Sequence, residues 1–150
     1  MPTIPLRSHT KPWLVALFRG NKDFTCTGTL IGRSSIITAA HCCMVTKAAL
    51  GAHCYDRIKV EDMDSIIDFK PHFFNDEYLS KFSPISKDNN CQYDLDVGIA
   101  KLKLPVNLQN PKIKIAKLAA PNVGCPGHGL DIAGWGKTKS TLFSLSVGNE

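Results

Sequence analysis

Short apolar runs, each ended by turn-forming residues, constrain the fold of this chain more than any other feature. They occupy residues 13–18, 24–31, 35–38, 48–50, 58–60, 66–69 and 95–104, and clusters of Gly, Pro, Asn, Asp or Ser separate most of them. Runs of this length and spacing are typical of antiparallel strands in a sandwich or barrel. No long amphipathic helix period interrupts them. The sequence therefore predicts an all-β fold.

Composition excludes several classes of function. At 150 residues and 43% hydrophobic, the chain can bury the core of one compact domain. Charged residues interrupt every apolar run before the ~18 residues that a membrane helix needs, so we expect no membrane partner. The formal charge is +5, and we expect the lysines between residues 101 and 117 to form one solvated strand face. Arginines and interleaved aromatic residues are missing there, so we expect no nucleic-acid partner.

Two longer stretches of the sequence lack such apolar runs. Between residues 66 and 95 the chain is polar and turn-rich, which predicts a long surface loop at 71–93 of the kind that carries specificity. From residue 104 to residue 129, four prolines (Pro105, Pro111, Pro121 and Pro126) break any regular element. This stretch reads as a linker, and only about 20 residues follow it, too few for a second sheet of ~4–6 strands.

A histidine next to a cysteine is the most informative local feature. Thr38-Ala39-Ala40-His41-Cys42 follows the segment Cys26-Thr27-Gly28-Thr29-Leu30-Ile31. An imidazole titrates near neutral pH, with an unperturbed pKa of ~6.5, and can act as a general base. A histidine taken alone is more often structural than catalytic.

These segments resemble the trypsin-like, or chymotrypsin-fold, serine peptidase family. In that family the catalytic histidine lies in a Thr-Ala-Ala-His-Cys turn, and an Asp-Ile-Ala-Leu strand supplies the carboxylate that orients it. Asp96-Val97-Gly98-Ile99-Ala100 resembles that strand, and Pro12-Trp13 and Gly134-Trp135-Gly136 match two further family segments in order and spacing. The resemblance implies that His41 and Asp96 are the catalytic residues. Asp94 would share the strand face of Asp96, but the apolar pattern that follows favours Asp96.

The resemblance further implies a chymotrypsin-like antiparallel Greek-key β-barrel, the first of two, with only the start of the second barrel present. We expect the first barrel at about residues 12–104, the linker at 105–129 and the start of the second barrel at 130–150. With no barrel to complete, Trp135 and its neighbours should be poorly ordered or loosely docked, and the face toward the missing barrel should be exposed and apolar.

Two family features are missing. No Gly-Asp-Ser-Gly-Gly motif surrounds Ser140, Ser144 or Ser146, and the amino-terminal Ile-Val-Gly-Gly is absent. Without the nucleophile and its oxyanion hole, we expect the chain alone to be inactive. We therefore expect an incomplete peptidase domain, shortened by an incomplete gene prediction, an alternative transcript or true degeneration.

The six cysteines indicate which disulfides form and in which compartment the protein resides. The resemblance implies a Cys26–Cys42 disulfide, and a short loop makes Cys43–Cys54 a guess; the partners of Cys91 and Cys125 are left open. Six cysteines favour an oxidising compartment, although residues 1–10 lack the apolar core of a secretory signal. Together with the family, they indicate a secreted protein.

Three hypotheses for function follow. The first is a secreted serine endopeptidase that acts on protein or peptide substrates and meets proteinaceous inhibitors. The second is a non-catalytic homologue whose barrel and 71–93 loop only bind. The third is a metal-binding module built on His41-Cys42-Cys43 and His53-Cys54. It is disfavoured because adjacent residues point in different directions and the usual gap between paired cysteines is missing. We therefore expect no metal and no cofactor.

Overall fold

The computed structural model describes residues 4–5, 9–71, 96–119, 131–137 and 143–149. Six strands form a closed antiparallel barrel: β2 (Leu14–Arg19), β3 (Asp23–Gly32), β4 (Ser35–Thr38), β5 (Lys47–Leu50), β6 (Asp64–Pro71) and β7 (Gly98–Leu102). Their order around the barrel is β2-β3-β4-β7-β6-β5. A separate sheet has the order β1-β9-β8, from β1 (Ile4–Pro5), β8 (Asp131–Lys137) and β9 (Phe143–Asn149). The all-β fold with an antiparallel barrel is confirmed.

Short 3-10 helices are the helical elements of the described ranges: η1 (Ala40–Cys42), η2 (Tyr55–Arg57) and η3 (Val60–Asp62). Within those ranges, no helix has the length and hydropathy that a membrane crossing requires. The apolar run at 58–60 therefore leads into η3 rather than forming a strand of its own.

Strand β2 is buried on both of its faces. Val15 and Leu17 belong to the core cluster that strands β2, β3, β4, β5 and β7 share inside the barrel. The alternate residues Leu14, Ala16 and Phe18 belong to a second cluster on the other side of the strand. Since side chains alternate along a strand, this five-residue apolar run can fill both clusters at once.

Trp135 of β8 closes the outer cluster. Its side chain is only 5% exposed and packs with Leu14, Phe18 and Met63. Its backbone N–H donates to Thr27 Oγ1 at 3.1 Å, and its indole Nε1–H donates to the His53 carbonyl at 2.9 Å. The expectation that Trp135 is loosely docked is wrong. The outer face of β2 offers an apolar surface that the indole covers without any second barrel.

Residues 103–119, which follow β7, run along the barrel without forming a strand. Their backbone is held by hydrogen bonds to barrel residues, from Val106 N–H to the Arg33 carbonyl at 2.8 Å and from Ala116 N–H to the Leu30 carbonyl at 2.8 Å. The lysines between 101 and 117 are all exposed, but only Lys101 lies in a strand. The expected solvated face of lysines is therefore confirmed, but these lysines do not lie on one strand, because Pro105 and Pro111 interrupt the regular structure.

The structure does not test two other expectations, the 71–93 loop and the division of the chain. The predicted 71–93 loop lies, apart from Pro71, outside the described residues. The division at about residues 104 and 129 stays a prediction.

Gly28 on β3 lies where two buried side chains meet the backbone. A Cβ added there would approach Ile36 Cγ2 to 2.5 Å, Leu17 Cδ1 to 3.1 Å and the Ile37 carbonyl oxygen to 3.3 Å. Ile36 and Leu17 are fully buried and have no room to retreat. We expect Gly28→Ala to lower the free energy of unfolding by about 1–3 kcal/mol, as overpacking of a filled core does.

Urea denaturation of the purified chain measures this, with Gly136→Ala as the matched control. Gly136 is also in a strand, but an added Cβ there meets nothing within 4 Å. Equal stability of the two variants would contradict the close packing described at Gly28.

Candidate active site

The turn after β4 holds His41 at the surface. Ala40 and Cys42 on either side of it are buried, whereas the His41 side chain is 59% exposed. A disulfide joins Cys42 to Cys26 on β3, with the two Cα atoms 6.3 Å apart. The buried Ala40 and the Cys26–Cys42 disulfide anchor the backbone of the turn to the barrel, and the His41 imidazole points toward solvent.

Asp96 reaches His41 because β4 and β7 are antiparallel partners. Thr38, the last residue of β4, pairs with Gly98, the first residue of β7. The chain leaving β4 and the chain entering β7 therefore emerge at the same edge of the sheet. Gly98 permits this close approach, since an added Cβ would lie 3.4 Å from the Ala40 Cα and under 3 Å from the Phe69 ring.

The Asp96 carboxylate accepts hydrogen bonds from both the ring and the backbone of His41. The distance from His41 Nδ1 to Asp96 Oδ2 is 2.6 Å, and that from His41 N to Asp96 Oδ1 is 2.9 Å. An ionised carboxylate can only accept, so Nδ1 donates the proton of this contact. In the neutral form of the ring, the outer nitrogen Nε2 would then be the one that accepts a proton.

Main-chain donors also set the charge of the Asp96 carboxyl. Desolvation acts to raise the pKa of Asp96, but hydrogen bonds from the backbone and ring of His41 and from the Ala40 N–H outweigh it and lower the pKa. Asp96 is therefore ionised at neutral pH. Sequence reasoning missed these N–H donors, because any residue type supplies a main-chain donor; the small Ala40 and Gly98 are the only local signal of the tight approach.

Comparison with known proteins decides the family. The profile of the family described as trypsin matches residues 3–148 of this chain. The chain belongs to the trypsin family.

Among curated trypsin-family relatives, kallikrein-10 of Homo sapiens is 28% identical, over 96% of this chain and 50% of its own length. The snake venom serine protease homolog rhinocerase 3 of Bitis rhinoceros is 32% identical, over 87% of this chain and 46% of its own length. The chain spans about half the length of these relatives. The solved structure of neuropsin, a serine protease of mouse brain, superposes with a TM-score of 0.71 at 25% identity, covering 98% of this chain and 62% of neuropsin.

One disulfide expected in this trypsin-family chain is not formed. Cys54 is a free, exposed thiol, and Cys43 is disulfide-bonded elsewhere. The guessed Cys43–Cys54 pair is therefore wrong, since the Cys43 sulfur is already engaged. Cys91 and Cys125, as well as Asp94, lie outside the described residues.

The disulfides also remove half of the metal-binding hypothesis. Donor atoms of Cys26, His41 and Cys42 lie within 4.8 Å of one another. Both sulfurs belong to the Cys26–Cys42 disulfide, and a zinc-type site needs thiolates. Cys43 is oxidised as well. Of the cysteines in that hypothesis, Cys54 alone keeps a thiol among the described residues.

The hydrogen bonds at Asp96 predict a measurable titration. We expect carbon NMR to find the pKa of Asp96 below the ordinary aspartate value of about 3.9. In His41→Ala it should rise only part of the way back, because the ring is lost while the two backbone N–H donors stay. The pKa of Asp64, which burial raises and Lys47 lowers, is the internal control and should not move.

The lowered pKa of Asp96 also makes the stability of the fold depend on pH. Because folding lowers the pKa of Asp96, its ionised form stabilises the fold above the unfolded pKa of about 3.9, and this is lost as the pH falls through the folded pKa. An Asp96 that titrates at or above 3.9 in the folded chain contradicts the described contacts.

Proposed function

We propose that this chain carries the histidine and aspartate of a serine endopeptidase site. His41 acts as general base and then general acid, and Asp96 orients it. The observation that supports this most is the 2.6 Å contact of His41 Nδ1 with Asp96, which leaves Nε2 on a side chain that is 59% exposed. A structural histidine would have both nitrogens satisfied inside the fold.

The chemistry of these two residues is that of acyl transfer. Nε2 takes the proton of the nucleophilic hydroxyl as the hydroxyl oxygen attacks the substrate carbonyl. The resulting imidazolium is stabilised by the Asp96 carboxylate, which stays ionised. Nε2 then returns the proton to the leaving amine, and the same cycle with water releases the acyl group.

The substrate class and location follow from the family and are part of the proposal. Trypsin-like proteases act on proteins or peptides, and we assign that substrate class here. An extracellular site of action is supported by the Cys26–Cys42 disulfide and the oxidised Cys43, because such bonds persist in oxidising compartments. The proposed organisation is a first barrel at about 12–104, a linker at 105–129 and the start of a second barrel at 130–150.

The nucleophile lies outside the 150 residues in this proposal. The sequence contains no Gly-Asp-Ser-Gly-Gly motif, and the described barrel offers only the base and its orienting carboxylate. The same observation favours a second candidate, a non-catalytic homologue that binds through its barrel surface. A relative that carries the word homolog in its name, rhinocerase 3, is 32% identical to this chain.

A covalent serine probe tests the 150-residue chain directly. We expect neither labelling by a fluorophosphonate nor cleavage of a mixed peptide library, because the sequence has no Gly-Asp-Ser-Gly-Gly motif. Labelling that disappears in His41→Ala would show a nucleophile within these residues and overturn this part of the proposal.

Sequencing the full transcript separates the two candidates. We expect an in-frame Gly-Asp-Ser-Gly-Gly, and the product expressed in an oxidising host should hydrolyse peptides. Asp96→Asn should lower kcat by about 10⁴-fold, because the amide no longer holds the reactive tautomer. The control is Asp68→Asn, at an exposed carboxylate on β6, which should keep full activity. A transcript without the motif, or equal rates for the two variants, contradicts the endopeptidase.

A further inference from the structure

The net positive charge of this chain comes from one segment, residues 101–119, which we call the basic segment. It carries five lysines, and no Asp or Glu occurs between residues 97 and 130. The whole chain has 18 basic and 13 acidic residues, so without these five lysines its formal charge would be zero. All five are exposed, and none of the ion pairs among the described residues involves them.

Both ends of the basic segment are held against the end of β3 and the turn that follows it. Near its start, the Leu102 N–H donates to the Ser34 carbonyl at 3.0 Å. Near its end, the Ala116 N–H donates to the Leu30 carbonyl at 2.8 Å. Leu30 and Ser34 are four residues apart, so at most about 14 Å separates them. The segment therefore returns to the place where it begins.

This return brings four cationic residues to the turn between β3 and β4. Lys101 and Lys103 lie at the start of the basic segment, and Lys117 lies near its end. Arg33, which is exposed, lies in the turn itself. The Lys101 ammonium is held beside the turn, because its Nζ donates to Ser35 Oγ at 2.7 Å. Arg33 and the three lysines form a basic surface.

Carboxylates are scarce around the basic surface. No Asp or Glu occurs in residues 24–55, which include all of β4 and all of β3 except Asp23. Asp68 on β6 pairs in register with Lys101, but its carboxylate lies 3.9 Å from Lys70 Nζ, which offsets its charge. Several cations with few opposing charges create a positive potential that concentrates anions at the surface.

The basic surface is separate from the candidate active site. Strands β4 and β7 pair Thr38 with Gly98 at the end that holds His41, and they pair Ser35 with Lys101 at the other end. Three residues of strand, roughly 10 Å, separate the two ends. An anion bound at the basic surface therefore leaves the His41 ring exposed.

The residue types of the basic surface select the kind of anion. Residues 97–119 contain no aromatic side chain, so the segment lacks the stacking contacts that hold single-stranded nucleic acids. Exposed lysines instead offer point charges to any anionic group. The Cys26–Cys42 disulfide supports an extracellular location, where linear sulfated polysaccharides are polyanions with closely spaced charges.

We propose that the basic surface binds a linear sulfated polysaccharide, through ion pairs of Arg33, Lys101, Lys103 and Lys117 with its sulfate groups. The bound polysaccharide holds the chain on a sulfated matrix while the His41 side stays accessible. This proposal rests on the extracellular location proposed above, and it does not depend on peptidase activity.

Calorimetric titration of the 150-residue chain with a heparin dodecasaccharide at several salt concentrations tests the proposal. We expect the logarithm of the affinity to fall with the logarithm of salt concentration with a slope of about −3, since each ion pair to a single-stranded polyanion contributes about −0.7. The triple variant Arg33→Gln, Lys103→Gln and Lys117→Gln should weaken the Kd by at least about tenfold, because each exposed ion pair contributes up to about fivefold. The slope should become shallower by about two units.

The matched control removes the same charges elsewhere on the barrel, with Arg19→Gln, Lys22→Gln and Lys59→Gln. All three residues are exposed, and Lys22 and Lys59 line a concavity together with Asp56 and Glu61. Because carboxylates surround these cations, we expect the control variant to keep the Kd of the unaltered chain. Near-ultraviolet circular dichroism verifies that both triple variants are folded.

Lysine acetylation gives a second readout that needs no variant. Heparin should slow the reaction of Lys101, Lys103 and Lys117 with acetic anhydride, measured on their peptides by mass spectrometry, while Lys22 and Lys59 react at an unchanged rate. Absence of heparin binding, equal weakening in both triple variants, or equal protection of all five lysines would overturn the proposal. Tighter binding of a single-stranded DNA of the same charge, or binding to phosphatidylserine vesicles but not to heparin, would overturn it as well.

Discussion

The pairing of β4 with β7 is the interaction on which the site depends. It sets Thr38 beside Gly98, and this brings together two side chains that are 55 positions apart in the sequence. The Cys26–Cys42 disulfide then ties the turn that carries His41 to β3. Local structure alone could not hold this contact, because each residue lies just outside a strand. Pairing of β4 with β7 is required for the imidazole and the carboxylate to meet, so the site depends on the tertiary fold.

The fold could be predicted where the side-chain pattern matches the strand period. The runs at 13–18, 24–31 and 35–38 correspond to β2, β3 and β4 within a residue or two. The run at 58–60 misleads, because three apolar residues are too few to separate a strand from a turn. Strand counting does not predict the docking of Trp135, because that docking depends on the apolar outer face of β2, which the indole covers and which only the three-dimensional packing shows.

The site was partly predictable for a similar reason. A sequence motif can point to His41 and Asp96, since their residue types and flanking patterns are distinctive. It cannot show the N–H groups that hold the Asp96 carboxylate, because main-chain donors leave no trace in residue identity. A short loop makes Cys43–Cys54 a plausible pair in the sequence, but loop length cannot reveal that the Cys43 sulfur has another partner.

In the proposed site, the barrel preassembles His41 and Asp96 in the geometry of a general base. Long-range nitrogen–proton correlation NMR of the His41 ring, at a pH where the ring is neutral, measures which ring nitrogen carries the proton. We predict a ring protonated at Nδ1, with that proton bound to Asp96 and the preference lost in Asp96→Ala. A ring protonated mainly at Nε2 in the unaltered chain would show that Asp96 does not hold the imidazole in this geometry.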